Sequence, residues 1–316
     1  MKKVAVIIPC FNESEGLPLL LPRLKSALNG VPEYYSVSVV LIDDGSTDNT
    51  WELIRSFSTS DDRIHGVKLL RNFGSHSAIR AGLASVEADY YIGISADLQD
   101  PPEIIPQLLS EAAKGFNVVW GERKKRRDPI FKTLWAKLFW KIIHRYAGPG
   151  YPEGGADVFL FSRQVVRHLL SMREKNPIFY LLIGWSGYHA STVTYTRAAR
   201  MTGETKWSFS KRVKTALGAF VSFSYTPIQF ISLTGILFSL FGFLLGLFLV
   251  FSYFSGNPAP GWTSLAVGML ILSGIQMIML GVVAEYLWRV FDQIKDRPDY
   301  IIETTVGGKE KQSGGE

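Results

Sequence analysis

In the N-terminal part of the chain, short runs rich in β-branched and aromatic residues alternate with longer stretches whose apolar positions recur at helical spacing. Runs at residues 4–9, 37–43, 67–70, 90–95 and 118–121 read as strands, and the stretches between them predict helices starting near Glu15, Asn49 and Ser77. This alternation predicts βαβ units and a mostly parallel sheet, because each helix carries the chain back to start the next strand in the same direction. One more strand is expected at 158–161. The chain begins Met1-Lys2-Lys3 like a secretion signal, but its apolar run stops at Pro9 and meets no small-residue cleavage site, so it reads as the first strand.

After Pro227 the pattern changes. Residues 228–254 and 262–283 each run for more than 20 positions without a charged side chain, long enough to cross a hydrocarbon core of about 30 Å. Residues 131–146 place Phe131, Leu134, Trp135, Leu138, Phe139, Ile142 and Tyr146 on one helical stripe and Lys137, Lys141 and Arg145 on another side. An ordinary core helix carries a similar stripe, but the tryptophans and lysines favour a helix lying in the bilayer interface. A second such helix is expected at 209–225, with Lys211, Arg212 and Lys214. The chain thus divides into an α/β domain at 1–208, a juxtamembrane amphipathic helix at 209–226, two transmembrane helices within 227–290, and a cytoplasmic tail at 291–316, expected to be disordered from 307.

Composition and charge sharpen this division. Of 316 residues, 47% are hydrophobic, more than a purely soluble protein carries, and the excess lies after Pro227. Lys and Arg flank the outer ends of the two apolar spans while the connection at 255–261 has none, which orients both termini and the α/β domain to the cytoplasm of a multi-pass protein in the plasma (inner) membrane. The net charge of +6 gathers beside the spans, so an anionic membrane surface rather than nucleic acid accounts for it. The single cysteine, Cys10, excludes an internal disulfide and reads as a packed thiol. Gly242-x-x-x-Gly246 permits close helix packing, within one subunit or in a homo-oligomer.

The candidate chemistry lies at the strand ends: Pro9-Cys10-Phe11-Asn12-Glu13, Asp43-Asp44-Gly45-Ser46-Thr47-Asp48, Arg71-Asn72-Phe73-Gly74 and Asp97-Leu98-Gln99. In open α/β sheets the crevice outside the carboxyl ends of the strands is where ligands bind. The run from Tyr90 ends in small residues, then Asp97, Gln99 and Asp100, then Pro101 and Pro102, which end the strand and restart the chain as a helix. Oxygens of Asp97 and Gln99 would then sit where a divalent cation bridges them to a diphosphate; the alternative is an Asp that caps the helix at Pro101. Asn12 with Glu15, and likewise Ser46 and Thr47, also read as helix-start residues, an account that suits Glu13 and Asp44 less well. No G-x-G-x-x-G follows the first strand and no G-x-x-x-x-G-K-[ST] occurs, so phosphates would need a metal and arginines. Arg123 follows the strand at 118–121, ahead of the basic run Lys124-Lys125-Arg126-Arg127, and the glycine-rich residues 148–155 lead to Asp157, as a ligand approach or as a turn with an Asp cap.

The series Pro9-x-Phe11-Asn12-Glu13, Asp43-Asp44-Gly45-Ser46-x-Asp48, Arg71-Asn72-x-Gly74 and Ala96-Asp97-Leu98-Gln99-Asp100-Pro101-Pro102-Glu103 resembles the family 2 glycosyltransferases of the GT-A fold, in their polyprenyl-phosphate branch. The resemblance implies a Rossmann-like catalytic domain with Pro9, Phe11, Asn12, Glu13, Asp44, Ala96 and Asp97 at the nucleotide sugar. It implies Mg²⁺ or Mn²⁺ held by Asp97 and Gln99, and Asp157 as the catalytic carboxylate. Phosphate or acceptor contacts are implied for Arg123, with Arg127 as a further candidate, and for Arg200 and Lys206 in the Arg-x-x-Gly-x-Thr-Lys loop. Many relatives place an Asp where Ser95 stands, a departure that removes one charge and is expected to weaken the metal site. The activity implied is inverting transfer of one sugar, a hexose such as glucose, from a nucleotide diphosphate sugar, UDP rather than GDP, to polyprenyl (undecaprenyl) phosphate at the cytoplasmic membrane face. A processive polysaccharide synthase of the same fold would carry Gln-x-x-Arg-Trp, which is absent. A flippase or transport component for lipid-linked sugars would need polar groups within its spans, and these have almost none.

Overall fold

The computed structural model describes residues 1–123, 150–152, 156–172, 179–197, 226–255, 261–295 and 297–307. The helices expected at 131–146 and 209–225, the candidates Arg127, Arg200 and Lys206, and residues 308–316 lie outside the described residues.

The chain opens with β1 (Lys2–Cys10), α1 (Leu17–Leu28), β2 (Tyr35–Asp43), α2 (Thr50–Ser60), β3 (Ile64–Leu69), α3 (Ser75–Ser85) and β4 (Tyr90–Gly93). These four strands pair in parallel in the order β4-β1-β2-β3. The unbroken apolar run from Val4 to Ile8 is buried throughout, as a strand covered on both faces requires. Helix α3 reaches the sheet closely through Gly82, where an added Cβ would come within 2.6 Å of Ile42. The register sets Cys10 beside Asp43 and Asp43 beside Lys68, so the polar strand ends stand side by side as expected.

Beyond β4 the chain forms a 3₁₀ turn (Pro102–Ile104), α4 (Ile105–Ala113), β5 (Val118–Arg123), β6 (Ala156–Ser162), α5 (Arg163–Ser171), α6 (Phe179–Trp185) and β7 (Ala190–Tyr195). The sheet is GT-A-like and α/β but mixed. Strand β6 lies antiparallel between β4 and β5, and β7 pairs in parallel with β5. Gly93 makes the β4–β6 pairing possible, since a Cβ there would stand 2.1 Å from the ring of Phe159 opposite. The reversal has a functional consequence: the start of an antiparallel strand lies at the same edge as the carboxyl ends of its neighbours. Asp157, the second residue of β6, therefore reaches the crevice edge, which a parallel strand in that place would not allow.

A second feature lies within the segment 291–316, ahead of the residues expected to be disordered from 307. Ile302–Val306 form β8, which pairs antiparallel with β3 at the sheet edge. Gly66 lies opposite Val306, where a Cβ would come within 2.7 Å of the valine side chain. Lys68 pairs with Glu303 at 3.1 Å, Arg80 with Asp299 at 3.3 Å, and Leu70 N–H donates to Ile301 C=O at 2.9 Å. The β-branched Thr304-Thr305-Val306 carries the strand signal, which the polar glycine-rich stretch after it conceals.

Two compact units result, one of residues 1–219 with 298–316 and one of residues 220–297. The second contains α7 (Thr226–Phe254) and α8 (Trp262–Ile294), with Gly235 facing Met279. Both expected apolar segments are thus helical. Among the described residues one stretch, Ile271–Ile294, is long and apolar enough to cross a membrane, and Leu233–Phe248 is a shorter apolar stretch. Phe241, Phe248, Met277, Ile278 and Leu287 are exposed along them, a concentration of apolar surface that marks a membrane or partner contact.

Candidate active site

The ends of β1, β2 and β3 are joined by polar side chains that bond to backbone. Asn12 takes a left-handed conformation (φ 54°), uncommon outside glycine. Its amide oxygen accepts from Thr47 N–H at 2.9 Å, and its own N–H donates to Ser46 Oγ at 2.9 Å. Glu13 N–H donates to Thr50 Oγ1 at 2.9 Å, and Asp48 accepts from Ser14 N–H at 3.2 Å and Thr50 N–H at 3.1 Å. The expected capping arrangements do not form. Helix α1 starts at Leu17 behind Gly16, and α2 starts behind Asn49, neither with a side-chain cap. The turn at Asn12 directs its amide to the β2–α2 loop instead, so that residues suited to capping tie two loops together.

Asp44 is buried, and its two oxygens accept from Phe73 N–H at 2.8 Å and Gly74 N–H at 2.9 Å. Burial raises its proton affinity above the ordinary carboxylate value, outweighing the two amides. Gly45 (φ 69°) lets this loop press on the next one, where a Cβ would stand 2.4 Å from the Arg71 carbonyl carbon. Asp43, fully buried, accepts from Ser46 N–H at 2.9 Å. Pro9, Phe11 and Glu13 are half-buried beside these loops. Cys10 is buried and its thiol is pushed well up by burial, as a packed thiol should be.

The ends of β4 to β7 present charged side chains to one another. After β4 the chain turns through buried Leu98 at φ 58°, the other left-handed residue that is not glycine among those described. Strain of this kind clusters at functional sites. Ala96 is buried, while Asp97 and Gln99 are half-buried on either side of the turn. Asp97 Oδ1 accepts from Gln99 N–H at 3.1 Å, and Ser95 Oγ lies 2.7 Å from both Asp97 Oδ1 and Asp100 Oδ2. The single hydroxyl hydrogen of Ser95 serves one carboxylate at a time. Pro101 begins the 3₁₀ turn without a side-chain cap, so no Asp caps it. Asp100 is fully buried and accepts from the Tyr195 hydroxyl at 2.6 Å, and burial with this carboxylate beside it pushes the Tyr195 phenol up.

Across from this turn, the β5–β6 register shifts between Gly121 and Glu122. Gly121 pairs with Val158 and Glu122 with Ala156, so the register skips Asp157. Such irregularities re-aim side chains next to active sites. Asp157 Oδ2 forms an ion pair with Arg123 Nη2 and lies 3.4 Å from Arg197 Nη2. The structure therefore assembles the candidates into two groups, Pro9 to Glu13 with Asp44, and Asp157 with Arg123, with the Ala96–Gln99 turn at the intervening strand β4. Sequence reasoning missed Asp100, Tyr195 and Arg197. Asp100 stands in the motif Asp97-Leu98-Gln99-Asp100 with no role assigned to it, and Arg197 follows a strand, Ala190–Tyr195, that the sequence pattern did not mark.

Among the described residues no group of three or more His, Cys, Asp or Glu could hold a metal ion by itself. The turn offers oxygen donors, a carboxylate and an amide, which suit a hard cation that takes its remaining ligands from substrate phosphates. That donor set fits Mg²⁺ or Mn²⁺.

The fold is an α/β domain that gathers polar and charged side chains at one edge of its sheet. The chain belongs to glycosyl transferase family 2, whose description matches residues 5–170, from β1 into α5. It is 34% identical to an uncharacterized glycosyltransferase, YkcC, of Bacillus subtilis, over 98% of this chain and 95% of that one. It is 33% identical to the SfII prophage-derived bactoprenol glucosyl transferase of Shigella flexneri, over 97% and 99%. It is 31% identical to the undecaprenyl-phosphate 4-deoxy-4-formamido-L-arabinose transferase of Yersinia enterocolitica, over 100% and 97%.

Proposed function

We propose that the protein transfers a single hexose, with glucose the leading case, from a nucleotide diphosphate sugar to undecaprenyl or a similar polyprenyl phosphate at the cytoplasmic membrane face. The observation that carries this reading is likeness over nearly the full length, apolar helices included, to relatives named for sugar transfer to bactoprenol and to undecaprenyl phosphate. A uridine rather than a guanosine nucleotide is the expected donor. The nucleotide sugar would lie against Pro9, Phe11, Asn12, Glu13, Asp44, Ala96 and Asp97. Asp97 and Gln99 would hold Mg²⁺ or Mn²⁺, which supplies charge neutralisation to the departing diphosphate.

An acceptor phosphate monoester has a second pKa of about 6 and is largely a dianion at neutral pH. Its oxygen forms the new bond to the anomeric carbon from the face opposite the diphosphate, whose bond to that carbon breaks, inverting the centre. Asp157 orients the acceptor and takes its residual proton. The arriving dianion competes with Asp157 for Arg123, and Arg127, Arg200 and Lys206 are further phosphate partners in this reading.

For the membrane unit we propose two spans, within residues 227–290, between the catalytic domain of 1–208 with its juxtamembrane helix at 209–226 and the C-terminal segment 291–316. Strand β8 supports two crossings over one. Because it hydrogen-bonds to β3, residues 64–69 and 302–306 lie on the same side of the membrane, and the chain between them crosses an even number of times. Both termini are then cytoplasmic, the basic flanks rest on an anionic surface, and the small-residue helix faces permit a homo-oligomer.

The test is to incubate membranes containing the protein with a panel of labelled nucleotide sugars and extract the lipid phase. One sugar is expected to enter a lipid of single-sugar size. A growing polymer would favour a processive synthase, and the absence of lipid label from every donor would overturn the proposal.

A further inference from the structure

Among the described residues, Arg197 lies against two carboxylates of the crevice, Asp100 and Asp157. Arg197 follows β7; its Nε lies 3.4 Å from Asp100 Oδ1 and its Nη2 lies 3.4 Å from Asp157 Oδ2. These acids come from different strand ends, Asp100 from the turn after β4 and Asp157 from the start of β6. Each has a further partner: Asp100 the hydroxyls of Tyr195 at 2.6 Å and Ser95 at 2.7 Å, Asp157 the guanidinium of Arg123. Arg197 Nε is buried and makes no well-aligned hydrogen bond, so it meets Asp100 by charge alone. A planar guanidinium spreads its charge over a rigid fork whose separate nitrogens face the two acids, whereas a lysine ammonium is a compact point charge on a flexible stem.

Resting on the function proposed above, we propose that Arg197 is a positioning residue. It fixes Asp157 relative to the Asp97–Asp100 turn while Arg123 turns to the acceptor phosphate. The difference between the two arginines lies in anchorage. A phosphate that draws Arg123 away breaks its pairing with Asp157, whereas drawing Arg197 away also exposes a fully buried carboxylate to the loss of its counter-charge. Arg197 therefore stays, and keeps the acceptor side and the donor side of the crevice at one separation. Group transfer is sensitive to that separation, since a misplacement of about 1 Å costs on the order of 10²-fold in rate.

The experiment compares wild type, Arg197→Met, Arg197→Lys, Asp100→Asn and the Arg197→Met/Asp100→Asn double variant in the lipid-transfer assay, with thermal unfolding as the check of folding. Arg197→Met is expected to lower kcat by on the order of 10²-fold while the KM for the nucleotide sugar stays within about threefold. Arg197→Lys should recover no more than about tenfold of that loss. Asp100→Asn should also lower kcat, and the double variant should be no worse than Arg197→Met, because both changes cut the same link. If Arg197→Met does not fold, Arg197→Gln takes its place with the same expectations. Wild-type kcat in the Arg197 variant, a loss carried by the donor KM, full rescue by lysine, or additive losses in the double variant would each overturn the assignment. Absence of transfer by the wild type would instead overturn the proposed function.

Discussion

The two halves of the crevice use their acids in opposite ways. Around the ends of β1, β2 and β3, Asp44 and Asp48 accept from backbone N–H groups of neighbouring loops and Asp43 from one in its own loop, and Asn12 accepts from the β2–α2 loop with its amide oxygen. Around the ends of β4 to β7, Asp100 and Asp157 face tyrosine and arginine side chains. A carboxylate that satisfies backbone amides is part of the loop's construction, and displacing it leaves buried donors without partners. A partly exposed ion pair contributes about 1 kcal/mol or less and exchanges readily for a charged ligand. One half is thus a rigid cup, while in the other the partly exposed Arg123–Asp157 pair is poised for exchange beside the buried contact of Asp100 with Arg197. Substitutions in the first should appear mainly as lost stability, and in the second as lost turnover.

The largest expected effect lies at the turn that joins the halves. Asp97→Asn should lose on the order of 10²-fold or more of transfer with the fold intact, and wild-type transfer should vanish when a chelator removes divalent cations. Indifference to the chelator together with an active variant would place the cation, if any, elsewhere.

Next in size is Asp157→Asn. Near pH 5.5, below the acceptor's second pKa of about 6, the loss is expected to be tenfold to hundredfold, with partial recovery above about pH 7 where the phosphate is already a dianion. The measurement is kcat against pH for both proteins. A loss of equal depth at every pH would mean that the Asp157 charge acts throughout, in positioning or in stabilising the transition state, and the exchange picture of this half would need revision.

The rigid half was the more legible in the sequence. Its βαβ alternation and polar strand ends follow from local pattern, and parallel pairing of successive strands leaves few other arrangements. The exchange half was legible only as separate residues. Nothing local says that β6 runs antiparallel, yet that direction is what brings Asp157 to Arg123 and Arg197. Ser95 was readable as a lost charge, but not as a hydroxyl between Asp97 and Asp100. Asn12 misled in the other direction. Its spacing to Glu15 matches a capping box, and only the left-handed turn at Asn12 shows that the side chain serves a different loop. Strand β8 was hidden because its partner lies more than 230 positions away in the chain, as the Lys68–Glu303 pair illustrates.

Within the rigid half, Asp44→Asn keeps the shape but turns an NH₂ group toward one of two backbone donors, so one amide loses its acceptor. The expected cost is about 1–3 kcal/mol of stability, read as a lower Tm, with turnover per folded molecule reduced less than in Asp157→Asn. The reverse ordering would erase the distinction between the two halves.

The smallest effect gives the sharpest reading of that rigidity, because it separates two contributions at one position. Asn12→Ala removes the side-chain oxygen that accepts from Thr47 N–H and also places a Cβ-bearing residue without a compensating bond at φ 54°. The bond is solvent-exposed, so its loss should cost about 0.5–1 kcal/mol, and the left-handed backbone about 1 kcal/mol more. Asn12→Gly loses the same bond but adopts that backbone without strain, although glycine raises the entropy of the unfolded chain. Thermal unfolding of the two variants should therefore rank glycine above alanine by roughly 0.5–1 kcal/mol. Equal losses would show that the turn at Asn12 stores no strain and that the hydrogen bond to Thr47 is all that either variant loses.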